Sequence, residues 1–263
     1  MRYSIITINY NNKEGLKRTI DSVVCQTYND FEYIVIDGES TDGSVDIIRE
    51  HEKYITYWVS EKDRGIYHAM NKGVSQAHGD YCIFMNSGDY FCSLDVLHKV
   101  SLIETYKDII IGNVISESGT IISQLPHREI SLYHLYSGAI PHQGTFIKTI
   151  LLKETPYDET LKITADWKFF LQKIIIENCS VEFIKDIIAI YDTNGISSTN
   201  QILMREEKEK VLAEFFPSRI LLDYHYLKSS ECLTQLLTPQ LRKHYRIDHL
   251  VYTIGQLLLR IIK

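Results

Sequence analysis

Alternation of short apolar β-rich runs with segments of helical periodicity limits the folds open to this chain more than any other sequence feature. The β-rich runs cover residues 3–8, 32–36, 55–60 and 81–85. Between them, the spacing of apolar residues predicts helices over residues 14–25, 44–50 and 67–77. Repeated β-α-β units of this kind predict an α/β fold, with a mostly parallel sheet and helices on both faces.

Polar residues follow three of these strands directly. Asn9 ends the first strand, Asp37 ends the second, and residues 86–89 follow the fourth. In open α/β sheets, ligands bind outside the carboxyl ends of the strands. We therefore expect these polar residues to meet at one edge of the sheet and to form a binding site there.

The second half of the chain is less regular. Its patterns predict strands at residues 109–111 and 120–123, a buried strand or turn at 139–147, an amphipathic helix at 166–177 and a β-rich run at 181–191. Helices follow the polar loop 192–200. Because no linker-like composition interrupts the chain, we expect one continuous domain over residues 1–200 and a helical C-terminal extension over residues 201–263.

Charge and cysteine content exclude some classes of protein. The net charge of −6 over 263 residues argues against a nucleic-acid partner, which needs a basic surface. The five cysteines are scattered and odd in number, which argues against a zinc site or a disulfide framework. The start of the chain lacks a signal-peptide layout, and no apolar run reaches about 18 residues. We therefore expect a cytoplasmic protein.

The segment 37-DGESTDGS-44 reads as a strand-to-helix turn, in which the glycines supply positive φ and an Asp or Ser side chain caps the next helix. Asp37 differs from its neighbours because it stands where a sheet ligand would lie. Its carboxylate could accept hydrogen bonds from a base or a sugar hydroxyl. We therefore predict that Asp37 binds a ligand.

The segment 61-EKDRGIYHAMNKG-73 has two interpretations. In one, Asp63 caps the following helix and Arg64 is solvated. In the other, Arg64 and the backbone N–H groups at the helix start bind an anionic phosphate.

The stretch 84-FMNSGDYF-91 also has two interpretations. It can be a simple turn in which Asp89 caps a helix. Alternatively, Asp89 binds Mg²⁺ or Mn²⁺, ions that complete their coordination with waters and substrate phosphate oxygens.

These segments and three others occur in a characteristic order: SIITINYNN, DGESTDGS, DRGIYHAMNKG, GDYCIFMNSGD, IPHQGTFI and TADWKFFLQ. Together they resemble the family 2 glycosyltransferases of the GT-A fold, most closely the bacterial members that build surface polysaccharides and O-antigens. The resemblance covers about residues 1–200. It implies inverting transfer of a hexosyl or N-acetylhexosaminyl group from a nucleotide-sugar, usually UDP-linked, to a glycan or lipid-linked acceptor, with a divalent metal.

The resemblance also implies roles for residues at the donor site. The residues that correspond to the nucleoside-binding and diphosphate-binding positions of the family are Thr7, Asn9, Tyr10, Asp37, Asp63 and Arg64. Residues 86–89, which include Asn86 and Ser87, stand where the family has its metal motif. The common form of that motif is Asp-Ser-Asp-Asp, whereas this chain has Asn-Ser-Gly-Asp, so Asp89 is the remaining carboxylate. The resemblance therefore implies a Mn²⁺ or Mg²⁺ ion held by Asp89 together with the donor diphosphate.

Asp166 in TADW corresponds to the catalytic carboxylate of the family. An inverting transfer needs a general base that takes the proton of the acceptor hydroxyl. The alternative is that Asp166 only caps a helix. His142 has two interpretations as well, either a core histidine or a contact to the acceptor or donor sugar. The loop 192–200 is either a surface loop or the late loop that closes over the donor phosphates in this family.

The segment 240–263 combines apolar residues at helical spacing with a basic face formed by Arg242, Lys243, Arg246, Arg260 and Lys263. It predicts an amphipathic helix that packs on the domain or on a second copy of the chain, or that lies on an anionic membrane surface.

Two other functions remain open from sequence alone. One is a non-catalytic sugar-nucleotide-binding protein, because the metal motif has lost carboxylates. The other is a nucleotidyltransferase. The segment NYNNKEG after the first strand argues against that function, since a Gly-rich loop with Arg or Lys would be expected there.

Overall fold

The computed structural model describes residues 3–122, 129–193 and 200–241, with side chains as far as residue 229. Within these ranges, eight strands form one sheet in the order β3-β2-β1-β4-β7-β6-β8-β5. The strands are β1 (Tyr3–Asn9), β2 (Phe31–Asp37), β3 (Tyr57–Ser60), β4 (Tyr81–Phe84), β5 (Tyr90–Phe91), β6 (Ile109–Ser116), β7 (Thr145–Lys148) and β8 (Val181–Tyr191). The pairs β1–β2, β2–β3, β1–β4 and β6–β8 are parallel. The pairs that involve β7 or β5 are antiparallel, so the sheet is mixed.

Nine α-helices accompany the sheet in the described ranges: α1 (Lys13–Val24), α2 (Ser44–Glu50), α3 (Ile66–Gln76), α4 (Val96–Ser101), α5 (Leu132–Ser137), α6 (Thr149–Glu154), α7 (Ala165–Phe170), α8 (Gln201–Phe215) and α9 (Ser218–Leu241). A π-helix, Leu171–Ile176, continues α7. Short 3-10 turns lie at Glu52–Tyr54 and His142–Gly144.

The core lies on both faces of the sheet because successive side chains of a strand point to opposite sides. All seven residues of β1 are buried. Ile5 belongs to the same apolar cluster as Leu16 and Ile20 of α1. Its neighbour Ile6 points the other way, toward Gly73 of α3. The predicted arrangement, with helices on both faces, is therefore confirmed.

The carboxyl ends of the strands come together as the sequence predicts. Asn9 pairs with Asp37 across β1 and β2, and Asp37 pairs with Ser60 across β2 and β3. The N–H of Ser87 donates to the carbonyl oxygen of Ile8 at 3.1 Å, which brings the turn after β4 to the same edge. This edge, formed by the ends of β1 to β4, is called the rim below.

The second half differs from the sequence prediction in three places. The strand predicted at 120–123 is wrong for its described part. Gly119 has a φ of +80°, and the tight turn there leaves only a single bridge between Ile115 and Ile121. Ser123 lies outside the described residues. The strand predicted at 109–111 extends to residue 116 as β6, and the helix predicted over 166–177 is split into α7 and the π-helix. Residues 139–147 agree with the predicted buried strand or turn, since a 3-10 turn there leads into β7.

The chain divides into two compact units, residues 1–211 and residues 212–263. The first holds the sheet, and the described part of the second holds the end of α8 and α9. The separate catalytic domain over residues 1–200 and extension over residues 201–263 remain a prediction. Of the segment 240–263, residues 242–263 lie outside the described residues, as do residues 194–199 of the loop 192–200. Within the described ranges, no helix combines the length and the hydropathy needed to cross a membrane.

Candidate active site

Asp37 is the most completely bonded residue of the rim. It is fully buried, and its Oδ1 accepts hydrogen bonds from Nδ2 of Asn9 at 2.8 Å and from Oγ of Ser40 at 2.6 Å. Its Oδ2 accepts from the N–H of Ser40 at 2.9 Å and from Oγ of Ser60 at 2.6 Å. A carboxylate has about four acceptor positions. Asp37 therefore ties the ends of three strands together with all of them.

The other candidate donor-site residues at the end of β1 differ in how deeply they are buried. Thr7 is fully buried, and its hydroxyl donates to the carbonyl oxygen of Met85 at 2.7 Å. It therefore supports the rim from inside the sheet. Asn9 is buried at the rim, and its Oδ1 has no hydrogen-bond partner among the described residues. Tyr10 is 70% exposed, and its ring lies beside Gly38.

Asp63 lies across the rim from Tyr10. A Cβ atom on Gly38 would be 3.2 Å both from Oδ2 of Asp63 and from Cδ2 of Tyr10, so the absence of a side chain at residue 38 leaves room between them. Asp63 is ion-paired with Lys72 at 2.5 Å. The side chain of Arg64 is directed toward Glu159 rather than toward Asp63. Its guanidinium contacts Glu159 at 2.6 Å, and the side chain is 71% exposed.

Helix α1 holds the turn that follows β4. The hydroxyl of Thr19 donates to the carbonyl oxygen of Asp89 at 2.7 Å and accepts from the N–H of Gly88 at 3.0 Å. Nδ2 of Asn12 donates to the carbonyl oxygen of Ser87 at 3.0 Å, and Arg18 donates to that of Gly88 at 3.1 Å. The turn is therefore fixed by side chains of α1 and of its N-cap residue, Asn12.

Asp89 is 5% exposed and faces a second carboxylate. The N–H of Asp192 donates to Oδ1 of Asp89 at 2.9 Å. A Cβ atom on Gly88 would lie only 2.6 Å from Oδ2 of Asp192. Asp192 therefore fills the space that a side chain at residue 88 would take. Burial raises the pKa of Asp89 to about 6, and the nearby Asp192 adds to the rise, against the hydrogen bonds from Asp192 and Gln143.

This pair fits a hard divalent cation. Mg²⁺ and Mn²⁺ prefer oxygen ligands, and a cation beside two neighbouring carboxylates offsets the repulsion between their charges. The charge of His142 lowers the pKa of Asp89 in the same sense, and Arg18 lies 3.7 Å from Oδ2 of Asp192. Among the residues that the structure describes, no group of three or more His, Cys, Asp or Glu side chains could hold a metal ion. A metal at Asp89 would therefore take further ligands from water or from a bound substrate.

A chain of hydrogen bonds leads from this turn to Asp166. Nδ2 of Asn86 lies 3.0 Å from Nε2 of His142, and Nδ1 of His142 lies 3.0 Å from Oδ2 of Asp166. The other oxygen of Asp166, Oδ1, accepts from the hydroxyl of Tyr67 and from the N–H of Trp167, each at 2.9 Å. Asn86, His142 and Asp166 are thus parts of one continuous network.

The protonation states within this network depend on each other. Burial lowers the pKa of His142, but the hydrogen bond to Asp166 and the charges of Asp166 and Asp89 outweigh it, so the pKa lies above its ordinary value. Burial raises the pKa of Asp166, yet the hydrogen bonds from His142, Tyr67 and Trp167 bring it below its usual value. Burial and the Asp166 charge hold the pKa of Tyr67 well above its ordinary value, so its hydroxyl keeps its proton.

Asn86 can respond to the state of His142. When the ring is neutral, the amide N–H₂ of Asn86 donates to a bare Nε2, and the ring proton on Nδ1 points to Asp166. Oδ1 of Asn86 is buried and has no hydrogen-bond partner among the described residues. When Nε2 carries a proton, the amide must turn so that Oδ1 accepts. The two protonation states of His142 therefore require opposite orientations of Asn86.

Asp166 itself is not the helix cap that the alternative interpretation suggests. Thr164 occupies the N-cap position of α7, and Asp166 lies within the first turn. The sequence did not identify Tyr67, Gln143 or Asp192 as site residues. Each stands in a segment that the sequence analysis singles out, Asp192 at the start of the loop 192–200, but the residues themselves are not marked, because their contacts join segments far apart in the chain.

A family comparison agrees with the order of these motifs. Residues 4–177 match the model of the family described as glycosyl transferase family 2. This range includes Asp166 and every other residue singled out from the sequence for the donor, the metal or the base.

Two relatives show the likeness at the level of sequence. An uncharacterized glycosyltransferase of Mycobacterium tuberculosis, Rv1514c, is 34% identical over 206 residues, which cover 74% of this chain and 76% of the relative. A PGL/p-HBAD biosynthesis glycosyltransferase of Mycobacterium bovis is 28% identical over 214 residues, which cover 75% of this chain and 79% of the relative.

Two solved structures share the fold. Staphylococcus aureus TarS 1-349, in complex with UDP-GlcNAc, superposes with a TM-score of 0.66 at 20% identity, over 86% of this chain and 73% of that chain. The mannosyltransferase PcManGT from Pyrobaculum calidifontis, in complex with GDP-Man and Mn²⁺, has a TM-score of 0.60 at 18% identity. That match covers 81% of this chain and 63% of the mannosyltransferase, so the chain spans less than two thirds of it. The expected GT-A fold class is confirmed.

Proposed function

The chain belongs to glycosyl transferase family 2, and we propose that it transfers one sugar with inversion from a nucleotide-sugar donor to the hydroxyl group of a glycan or lipid-linked acceptor. The observation that carries the proposal is the hydrogen-bonded path Asn86–His142–Asp166. It supports the proposal because His142 and Asn86 join Asp166, a carboxylate that could act as the base, to the turn that would hold the donor diphosphate.

The rim supplies the contacts that a nucleoside needs. Tyr10 presents an exposed ring beside the gap left by Gly38, where a base can stack. Oδ1 of Asn9 is a buried acceptor with no partner among the described residues, so it could receive a donor group of the base or ribose only if the rim opens on binding. Because Asp37 uses its acceptor positions within the protein, its contribution in the described state is to fix Asn9 and Ser60.

Asp89 and Asp192 are the residues that would hold a divalent cation. Such an ion would neutralise charge that develops on the departing diphosphate. Asp192 compensates for the absence of a carboxylate at residue 88, since its oxygen occupies the space there. Support for an ion also comes from PcManGT, whose structure contains Mn²⁺ and GDP-Man.

Asp166 is suited to act as the base. Its depressed pKa keeps it ionised at neutral pH. Oδ1 already accepts two hydrogen bonds, whereas Oδ2 accepts one, from His142. The free position on Oδ2 can take the proton of the acceptor hydroxyl as its oxygen bonds to the anomeric carbon and the bond to the diphosphate breaks. His142 and Tyr67 keep the carboxylate oriented through that step.

We further propose a UDP-linked donor and a role in the synthesis of bacterial surface glycoconjugates. Support for the donor is the complex of TarS with UDP-GlcNAc. Support for the pathway is the name of the Mycobacterium bovis relative, a PGL/p-HBAD biosynthesis glycosyltransferase.

The deciding experiment is a thermal-unfolding screen of UDP-, GDP- and TDP-sugars, each with Mn²⁺ and with EDTA. We expect UDP-sugars to raise the melting temperature and Mn²⁺ to enlarge the rise. The donor that binds is then incubated with the protein and a panel of lipid-linked and soluble glycan acceptors, and UDP release is measured. Binding without any acceptor-dependent release would favour a non-catalytic sugar-nucleotide-binding protein instead.

A further inference from the structure

A carboxylate outside the rim accepts four hydrogen bonds from one short segment of the chain. Glu207, on α8, is 8% exposed. Its Oε1 accepts from the N–H of Lys162 at 2.6 Å. Its Oε2 accepts from the N–H of Ile163 at 3.0 Å, from the N–H of Thr164 at 3.1 Å and from the hydroxyl of Thr164 at 2.9 Å.

The three backbone groups belong to the segment that leads directly into α7. Thr164 is the N-cap residue of that helix, and its own side chain makes no capping hydrogen bond to it. Asp166 follows two residues later. Glu207 thus fixes the backbone immediately before the residue proposed to act as the base, from a helix that begins 35 residues after it.

Lys208, the next residue of α8, contacts Trp167, which follows Asp166 in the chain. Nζ of Lys208 lies 4.7 Å from the centre of the Trp167 ring and donates to the carbonyl oxygen of Gly138 at 2.8 Å. Nε1 of Trp167 donates to the carbonyl oxygen of Leu135. Two consecutive residues of α8 therefore contact the residues on both sides of Asp166.

We propose that Glu207 is a positioning residue for Asp166: by collecting the N–H groups of residues 162–164 on one carboxylate, it sets the start of α7 and with it the direction of the base. The inference rests on the proposed role of Asp166. It assigns a function to α8, a helix that lies beyond the residues that match the family.

The chemistry calls for a carboxylate at this position. Three N–H groups and one hydroxyl converge on two oxygens, and an ionised Glu has acceptor positions for all four. A Gln offers one oxygen, and its N–H₂ group would face backbone N–H groups, leaving buried donors without partners. An Asp would be one methylene too short to reach them.

The test compares Glu207→Gln with Glu206→Gln, a matched control, because Glu206 is exposed on the same helix. We expect the Glu207 variant to lose roughly 10²-fold in kcat, since small misplacement of a reacting group costs about that much, while KM for the donor stays the same. NMR titration of His142 should show its pKa fall toward 6.5, because the hydrogen bond between Asp166 and His142 weakens. The Glu206 variant should match the wild type in both measurements.

Two outcomes would overturn the proposal. In the first, the Glu207→Gln protein unfolds at a lower urea concentration, but its kcat and its His142 titration are unchanged. Glu207 would then contribute to stability alone. The second concerns a substitute variant. If the Glu207→Gln protein does not fold, Thr164→Val replaces it, because this change removes only the hydroxyl bond to Glu207. We expect a smaller fall in the same two quantities, and no change would refute the inference. The His142 titration needs no substrate, so it distinguishes a failure of this inference from a failure of the proposed transferase activity.

Discussion

Nδ1 of His142 lies 3.0 Å from Oδ2 of Asp166, although 24 residues separate them in the chain. Each side chain is mostly buried, and each contributes to the shifted pKa of the other. The two therefore act as a unit. Changes at one residue should be detectable at the other, and four predictions follow from this unit and from the turn beside it.

Replacement of Asp166 by Asn should reduce transfer by roughly 10²- to 10⁴-fold, the usual contribution of a general base. Donor affinity should change little, because Asp166 is proposed to face the acceptor. Initial rates and isothermal titration of the donor check the two parts. Glu154→Gln, at an exposed residue of α6, is the control. A variant that transfers at the wild-type rate would exclude Asp166 as the base.

The pKa of His142 should fall in Asp166→Asn, because burial is then opposed by the charge of Asp89 without that of Asp166. In the wild type the pKa is raised, so the folded state favours the protonated ring. That contribution to the free energy of unfolding is complete below pH 6.5 and is lost as the pH rises through the folded value. NMR spectra of the ring protons against pH measure the shift, with the resonance of His98, exposed on α4, as a reference. An unchanged titration would contradict the coupling.

Asp89→Asn should stabilise the metal-free protein while abolishing its response to Mn²⁺. The pKa of Asp89 is about 6, above the value of 3.8 expected when unfolded. The folded protein therefore retains a proton between pH 3.8 and 6 that the unfolded chain loses, so stability falls across that window. Above pH 6, the ionised Asp89 lowers the free energy of unfolding by about 3 kcal/mol, at about 1.4 kcal/mol per pKa unit.

In EDTA at pH 7.5, urea unfolding should show Asp89→Asn more stable by about 1–3 kcal/mol, since Asn keeps the oxygen that accepts from Asp192. With UDP and Mn²⁺ the order should reverse. Asp186→Asn, at an exposed residue of β8, controls for the loss of one negative charge. Equal Mn²⁺-dependent stabilisation of the Asp89 variant and the wild type would place the ion elsewhere.

Gly88→Ala should be more harmful than Gly119→Ala, although both glycines have positive φ, +109° and +80°. Such backbone conformations cost a residue other than glycine on the order of 1–3 kcal/mol. At residue 119 nothing lies within 4 Å of the added methyl group, whereas at residue 88 it meets Oδ2 of Asp192 at 2.6 Å. Only the Gly88 variant should therefore also lose Mn²⁺-dependent stabilisation. The free energy of unfolding in urea, with and without Mn²⁺ and UDP, tests both parts, and equal losses would refute the role of Asp192.

The first half of the fold could be predicted because its signals are local. The apolar runs that form β1 and β2 end at Asn9 and Asp37, and parallel pairing then brings these two residues together. The second half depends on pairing between distant segments. The apolar run of β6 is interrupted by Gly112 and Asn113, where the register against β8 shifts, and the sequence suggested a strand of only three residues.

The candidate site could be proposed from the sequence only in part. Asn86, His142 and Asp166 stand in recognisable motifs, so a resemblance can identify them. Asp192 reaches Asp89 across 103 residues, and Glu207 reaches Thr164 across 43. Contacts of that range are set by how strands and helices pack, which no short pattern of residues encodes.

If Glu207 positions Asp166 as proposed, a segment exchanged between this protein and a relative cannot end where the family match ends, at residue 177. A chimera joined there would also replace β8, which lies between β6 and β5 in the sheet. Hybrid proteins between this chain and its relatives should instead keep residues 1–211 from one parent, so that Asp166 and Glu207 come from the same protein.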